Sequence, residues 1–437
     1  MTGTPAPQAP ETLPAPRGAW ALVRKYWFDI PLWQRILAAL VMGAVIGLIW
    51  GEGASQIKWI GDVFIRLIRM LVVPLVFVTI VAGVAAIGDV TRLGAIGIKT
   101  LALYLLTTML SAVLGLALGS LFKPGAGVDL TSVTPMAMSA EPISVAEQFI
   151  GIIPLNPIAA LAQGDILAII FFSIMVGAAV LAVGEATSPL VRVFDAAVAV
   201  LLKLTHFVME VAPFGVFALI AWVMGTSGPA AFVNIFLLAV CVLAGCALQV
   251  LFIHGGLVRL VAGLRIIPFF RGITDVIVVA FSTSSSAATL PVSMRVAINN
   301  LGVSPVVAST ALPIGTTMSM DGTAMYVALL TMFSAQVFGV SLDIGQFMMV
   351  IAVTTLVAIG SAPIPSASLF LLAGVLQVIG ISVEQTAVIV GFILPFDRIL
   401  DMMRTIPNCT GDLAVAVTVA RWEGELDEGV YADKADE

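Results

Sequence analysis

Residues 397–412 read D-R-I-L-D-M-M-R-T-I-P-N-C-T-G-D, a run of charged and amide side chains inside an apolar region. Successive residues of an α-helix are ~100° apart, so five of these side chains fall within about 80° of one another. They are Asp397, Asp401, Arg404, Asn408 and Asp412. Polar groups at membrane depth are costly and line a cavity or an ion path rather than face lipid. The run therefore predicts a helix that carries the functional site.

The composition indicates a protein that crosses a membrane several times. Of the 437 residues, 60% are apolar and 11% are charged, and the mean hydropathy is +1.11. A soluble domain carries roughly 25% charged residues. No basic patch is present to neutralise phosphates, so we expect no nucleic-acid partner. Three cysteines cannot form a disulfide framework, and neither histidine has metal-ligand spacing.

Both termini are expected to be cytoplasmic, in a multi-pass protein of the cell (inner) membrane. The first 16 residues contain five prolines and no signal-peptide core, which predicts a disordered N-terminal tail. Basic residues, Arg17 and Arg24 among them, precede the first apolar run, and the positive-inside rule places them in the cytoplasm. The residues from Trp422 onward form an acidic tail.

Two parts of the second half of the chain predict re-entrant hairpins. Each consists of two apolar arms of about 10–15 residues, too short to cross ~30 Å of hydrocarbon, joined by a polar tip. The tips contain Ser286 and Ser366, which precede Asp321 and Asp401 by the same 35 residues. This matched spacing indicates an internal repeat, which is inverted if the hairpins enter from opposite sides.

The predicted fold is an all-α polytopic membrane protein with eight transmembrane helices and two re-entrant helical hairpins in inverted repeats. The predicted segments are an N-terminal tail (1–30), spans 1 and 2 (31–95), span 3 (96–125), spans 4 and 5 (140–225), span 6 (229–262), hairpin 1 (265–300), span 7 (303–334), hairpin 2 (341–380), span 8 (382–421) and the acidic tail (422–437).

Three polar motifs indicate a site for a carboxylate and a cation. Residues 284–286 are three serines, whose hydroxyls and free backbone N–H groups suit a carboxylate. Asp321 and Gly322 interrupt an apolar helix; unwinding there would free carbonyls for a hard cation, although a protonated structural Asp321 is the alternative.

The third motif lies in the last helix. The planar guanidinium group of Arg404 matches a carboxylate, and Asp401 can accept a hydrogen bond from an ammonium group. The two could instead pair with each other. Asp412, two turns from Arg404, can serve a separate cation. Arg398 is expected to pair with Asp397 or to reach the first tip.

With these motifs the chain resembles the dicarboxylate/amino-acid:cation symporters, the glutamate transporter family. The resemblance runs from residue 24 to residue 422 and rests on the serine-rich tip with Thr289-Leu290-Pro291, on residues 320–323 and on residues 401–412. It implies a homotrimer with an elevator mechanism. Spans 1, 2, 4 and 5 would form a fixed scaffold, while spans 3 and 6 move with both hairpins and spans 7 and 8.

The resemblance also implies residue roles. The substrate-binding residues would be Ser284, Ser285, Ser286, Thr323, Ile364, Ser368, Asp401, Arg404, Thr405 and Asn408. One sodium site would use Asp412 with carbonyls of Gly315, Ser319 and Asn408. A second would use Asp321 with Tyr104, Thr107, Thr108 and Ser319. A third would lie among Thr317, Met320, Ala358, Ile359 and Ser361.

The chain departs from the family pattern at four places. Ser319 stands where the family usually has asparagine, and Ser284 replaces an arginine of archaeal members. The second tip carries Pro363 and Pro365 where the family is glycine-rich, and Pro407 precedes Asn408.

The leading hypothesis is a sodium-coupled symporter for aspartate or glutamate, with sodium ions, an acidic amino acid and the lipid bilayer as partners and no organic cofactor. The alternative is a proton-coupled glutamate/aspartate or C4-dicarboxylate symporter. An ion channel would need a continuous pore ring. An intramembrane serine protease would pair a serine with a histidine, and no such arrangement is visible. We therefore expect a transporter and not an enzyme.

Overall fold

The structure is a computed structural model that describes residues 30–92, 94–128, 150, 153–228, 230–359 and 367–433. Over these ranges the regular structure is helical, and extended pairing is confined to a single antiparallel bridge between Val303 and Leu426. This helical structure confirms the expected all-α class. The predicted N-terminal tail lies outside the described residues, apart from Ile30.

The first half of the chain forms long apolar helices. They are α1 (Leu32–Trp50), α2 (Lys58–Arg92), α3 (Ala95–Phe122), α4 (Pro157–Gln163), α5 (Ile166–Val183), α6 (Ser188–Met209), α7 (Ala212–Ser227) and α8 (Ala230–Leu248). After α8 the chain continues in wider π-helical turns, Gln249–His254 and Leu257–Val261. Such turns are rare and are frequent at functional sites.

The second half consists of shorter helices followed by one long one. They are α9 (Ile266–Gly272), α10 (Thr274–Thr283), α11 (Ser286–Asn299), α12 (Pro305–Met318), α13 (Asp321–Val337), α14 (Ile344–Ile359), α15 (Ala367–Val378), α16 (Val383–Glu423) and α17 (Glu428–Asp433). Ser382 and Gln385 form a reciprocal capping box at the start of α16, which fixes its first turn.

Among the described residues, four stretches are long and apolar enough to cross a membrane: Leu32–Ala85, Ala95–Phe122, Ala168–Met209 and Ile235–Val261. The helices α9 and α10 add a fifth if they are counted together, although they meet at an angle of 44°. By length and composition, these apolar helices are those of a multi-pass membrane protein.

Two helix breaks bring polar backbone into the interior. Between α10 and α11, Ser284 has a φ of 52° in the left-handed region, and the side chain of Ser285 accepts a hydrogen bond from Ala288 N. Between α12 and α13, Ser319 and Met320 leave helical geometry. The breaks fall at the serine run and beside the interior aspartate that the sequence singled out.

The buried apolar residues form two main clusters. One joins α1, α2, α5 and α7 to α13, α14, α15 and the first part of α16. The other joins α9 to α12 and the last part of α16. Leu400 belongs to the first cluster and Cys409 to the second. The polar residues of α16 therefore lie where the two cores meet.

A candidate substrate and cation site

Arg404 is the centre of a buried charge cluster on α16. Its Nη1 donates to Asp397 Oδ1 at 2.8 Å, and its Nη2 lies 2.7 Å from Asp401 Oδ1. The guanidinium also lies 4.3 Å from the centroid of the Tyr326 ring, and Tyr326 Oη donates to Asp397 Oδ1 at 2.9 Å. Cation–π contact and two carboxylates together hold a charge that is 98% buried.

The pairing of Arg404 with Asp401, which the sequence left as an alternative, is what the structure shows. Arg398 also pairs with Asp401, at 3.4 Å, and not with Asp397 as one expectation had it. Residues three apart on a helix are neighbours, whereas adjacent residues point in different directions, which explains this choice. Two arginines and two aspartates give the cluster no net charge.

Four buried polar atoms of the candidate site residues and of this cluster have no hydrogen-bond partner among the described residues. They are Ser284 Oγ, Ser368 Oγ, Asp397 Oδ2 and Arg398 Nε. Such atoms cost free energy in a protein interior unless a ligand or another partner satisfies them. Asp397 Oδ2 and Arg398 Nε belong to the charge cluster itself, so the cluster has unused polar atoms that a polar ligand could satisfy.

The break between α12 and α13 is held by Asn408 on α16. Asn408 Oδ1 accepts from Gly322 N at 2.8 Å, and its Nδ2 contacts Met320 Sδ at 3.4 Å. Asn408 thus satisfies a free N–H at the start of α13. The neighbouring Cys409 thiol lies beside the hydroxyls of Ser286 and Thr289, so α16 contacts both helix breaks.

Oxygen atoms converge above Gly315 of α12. A methyl group added there would overlap Asp412 Oδ1 and Tyr104 Oη. Asp412 Oδ1 and Ser319 Oγ are buried without a hydrogen-bond partner, while Tyr104 Oη donates to Ala311 O at 3.0 Å. Because a carboxylate and hydroxyls are ligands of hard cations, this group has the chemistry of a site for such a cation. Tyr104, which the resemblance grouped with Asp321, directs its hydroxyl to this group.

Asp321 has its two carboxylate oxygens fully engaged. Oδ1 accepts from Thr107 Oγ1 at 3.2 Å and Thr108 Oγ1 at 2.9 Å. Oδ2 lies 3.2 Å from Gln249 Nε2 and 2.9 Å from His254 Nε2. The family resemblance placed the two threonines with Asp321, whereas Gln249 and His254 were missed. Their only sequence signal is a pair of polar residues in an otherwise apolar stretch.

Most of the remaining predicted residues are buried or half-buried, and a few lie outside the described residues. Ser286, Thr323, Thr405, Ser368, Met320 and Ala358 are buried. Thr317 is half-buried and donates to Ile314 O, and Thr405 donates to Asp401 O. Ser361 and Ile364 lie outside the described residues, as does the side chain of Ile359.

A sequence model described as the sodium:dicarboxylate symporter family matches residues 32–422. The chain belongs to this family. It is 34% identical to the proton/sodium-glutamate symport protein of Geobacillus stearothermophilus over 407 residues, which are 91% of this chain and 95% of that protein.

Two further relatives of this symporter family carry different substrate names. The proton/glutamate-aspartate symporter of Bacillus subtilis (strain 168) is 34% identical over 395 residues, covering 89% of this chain and 94% of that protein. The C4-dicarboxylate transport protein of Anaeromyxobacter sp. (strain K) is 33% identical over 405 residues, 91% of each chain. Membership confirms the predicted resemblance and a transporter rather than an enzyme.

In this symporter, Gly322 sets the distance between α13 and α16. A methyl group there would overlap the backbone carbonyl of Arg404. Overpacking a dense interior costs about 1–3 kcal/mol, so we expect Gly322→Ala to lower the melting temperature of the purified protein. Gly391→Ala is the matched control on α16, since nothing lies within 4 Å of the added methyl group. Equal melting temperatures for the two variants would contradict this close approach.

Proposed function

We propose that the chain is a sodium-coupled symporter that imports L-aspartate or L-glutamate. The observation that carries this proposal is the buried pair of Arg404 and Asp401, in a cluster where Asp397 Oδ2 and Arg398 Nε lack hydrogen-bond partners. A zwitterion with a second carboxylate can replace both halves of that pair. Its side-chain carboxylate would bind Arg404 Nη2, and its ammonium group would bind the Asp401 carboxylate.

This exchange would replace the ion pair between Arg404 and Asp401 by two ion pairs. One joins Arg404 to the substrate carboxylate, and the other joins Asp401 to the substrate ammonium group. Asp397 and Tyr326 keep Nη1 and the guanidinium face in place while Nη2 changes partner. A substrate without an ammonium group would draw Arg404 Nη2 away from Asp401 without supplying a cation in its place. An uncompensated buried charge costs several kcal/mol, which favours the amino acid over a plain dicarboxylate.

The other substrate contacts follow from the same arrangement. Residues 284–286 at the start of α11, together with Asn408, would bind the main-chain carboxylate, because helix N-termini present free N–H groups. Thr323 would assist Arg404, and Thr405 would assist Asp401. Ile364 and Ser368 would close over the substrate.

Three sodium sites belong to the proposal. The first uses Asp412, Ser319 and Asn408 with the Gly315 carbonyl, and Tyr104 Oη converges on it. The second uses Asp321 with Thr107 and Thr108. The third uses backbone carbonyls of Thr317, Ala358, Ile359 and Ser361 near Met320.

The proposed architecture has eight spans and two re-entrant hairpins, with both termini in the cytoplasm and three copies in the inner membrane. Support comes from the length of the apolar stretches, since Leu32–Ala85 and Ala168–Met209 have 54 and 42 residues and a single crossing needs about 20. The predicted segment bounds given above belong to this proposal, as does movement of α3, α8 and α9 to α16 as an elevator against α1, α2 and α4 to α7.

One observation favours a second candidate, a proton-coupled glutamate/aspartate or C4-dicarboxylate symporter. Asp321 already accepts from Thr107, Thr108 and Gln249 and pairs with His254. A sodium ion at Asp321 would have to displace at least one of these groups. Relatives named for protons as well as sodium, and for C4-dicarboxylates, are consistent with this candidate.

Uptake of labelled aspartate into proteoliposomes separates the two candidates. We expect an inward sodium gradient to drive accumulation at equal pH on both sides, because Asp412 and its neighbours offer a cation site. A pH gradient imposed without sodium should drive little uptake. Accumulation driven by the pH gradient alone would replace sodium coupling by proton coupling.

A further inference from the structure

The residues after α16 fold back onto the helices that carry the serine tip. Within the predicted acidic tail, residues 424–433 form a docked segment, which we call the strap. Gly424 ends α16 with a φ of 74°, and the chain then reverses towards α12. Arg421 and Glu428 form an ion pair across this reversal.

The strap pairs with the connection between α11 and α12 through its backbone. Ser304 N donates to Glu425 O at 3.0 Å, and Asp427 N donates to Gly302 O at 2.8 Å. These two bonds flank the bridge between Val303 and Leu426. Gly302 has a φ of 68°, and a side chain there would overlap the Asp427 carbonyl, so the close approach requires glycine.

A second contact reaches the other end of the same helices. The Tyr431 side chain is buried in the second apolar cluster, and its hydroxyl donates to Arg265 O at 2.7 Å, immediately before α9. Burial raises the pKa of the Tyr431 phenol, which therefore stays protonated and keeps donating at neutral pH. Helix α17 packs against α9.

The strap thus fastens both ends of the segment α9–α11 to the end of α16. The serine tip lies within this segment, where α10 meets α11, about 15–20 Å from the fastened ends by the lengths of these two helices. A small tilt at the fastened end therefore becomes a shift of an ångström or more at the tip. Substrate ligands on α11 and α16 must keep their spacing within about 0.5 Å to bind well.

We infer that the strap, through Tyr431 and the bridge at Val303, is a positioning element that holds the serine tip against α16. This inference rests on the proposed function, in which the serine tip binds the main-chain carboxylate of the substrate. The strap then holds α9–α11 in place as one side of the site. Loss of the strap lets α10 separate from α16.

A labelling experiment tests the strap without relying on transport. Ala280 on α10 is fully buried in the second cluster, so Ala280→Cys reports separation of α10 from its neighbours through reaction with a maleimide in nanodiscs. The three native cysteines are buried and set the background. Truncation after residue 424 removes the strap, and truncation after residue 433 is the matched control.

We expect the 424 truncation to label at least about tenfold faster than the 433 truncation, because two backbone hydrogen bonds and the Tyr431 contact are lost together. Tyr431→Phe, which removes only the hydroxyl bond, should label about two- to fivefold faster than its parent. Equal rates for both truncations overturn the inference. If the 424 truncation does not purify as a folded protein, Tyr431→Phe decides: the parent rate overturns the inference, and a several-fold increase supports it.

Uptake kinetics give a second measurement. A positioning role predicts that Tyr431→Phe raises KM for labelled aspartate several-fold with little change in maximal rate. An unchanged KM would contradict it. Absence of acidic-substrate uptake by the full chain under either gradient would overturn the proposed function, while the labelling result still tests the strap.

Discussion

Replacing Arg404 by cysteine is expected to abolish uptake of acidic substrates. The change leaves Asp397 and Asp401 buried without the guanidinium that both contact, and it removes the cation that the proposal assigns to the side-chain carboxylate. Removing one partner of a buried pair costs about 3–5 kcal/mol. The expected loss of aspartate affinity is therefore on the order of 10²–10³-fold or more, measured as binding to the purified protein.

Two further variants control this prediction. Arg404→Lys keeps the charge but loses the planar fork, so we expect an intermediate loss of affinity. Arg295→Cys removes an exposed arginine whose partner Asp275 is also exposed, and it should leave affinity unchanged. Aspartate binding at parental affinity by a folded Arg404→Cys protein would remove Arg404 from its assigned role.

Replacing Asp412 by asparagine is expected to remove the dependence of uptake on sodium. Asp412 Oδ1 is a buried oxygen without a partner, and it converges with Tyr104 Oη above Gly315. The amide has nearly the same shape but no charge to offset the cost of dehydrating a cation. We expect sodium-driven uptake to fall at least about 100-fold, which corresponds to about 3 kcal/mol.

Asp275→Asn is the matched control, since it removes the same charge from an exposed position. Its sodium dependence should equal that of the parent. If Asp412→Asn kept a normal sodium dependence while remaining folded, the cation site would have to be placed elsewhere, with Asp321 the first position to examine.

Local signals in the sequence predicted much of the site. The polar run on α16 lies on one buried face, as its spacing required, because helix periodicity is a property of consecutive residues. The chain also breaks at Ser284 and at Ser319, where short polar residues interrupt apolar helices. In both cases the determining residues are within a few positions of the feature.

Contacts between distant residues could not be predicted in this way. His254 and Asp321 are 67 residues apart, and Arg35 contacts Glu210 at 2.7 Å across 175 residues. The strap is similar, because the acidic composition of the tail gave no sign of its contacts, which come from Tyr431 and the backbone. Such contacts depend on how helices pack, which no single segment encodes.

The sequence also did not determine which aspartates pair with Arg404. The sequence allowed Arg404 to pair with Asp401, and it offered Arg398 as a partner of Asp397. The structure gives Arg404 both aspartates and gives Arg398 a longer contact with Asp401. In the proposed function, this sharing makes Asp401 the carboxylate whose partner the substrate replaces.

The most direct measurement compares binding of L-aspartate and succinate to the purified protein in saturating sodium, for the parent and for Asp401→Asn. The account predicts that the parent binds aspartate at least about tenfold more tightly than succinate, because only aspartate supplies an ammonium group for Asp401. Asp401→Asn should weaken aspartate binding and remove this preference. Equal affinities in the parent, or a preference that Asp401→Asn leaves unchanged, would contradict the exchange of an acidic zwitterion into the Arg404–Asp401 pair.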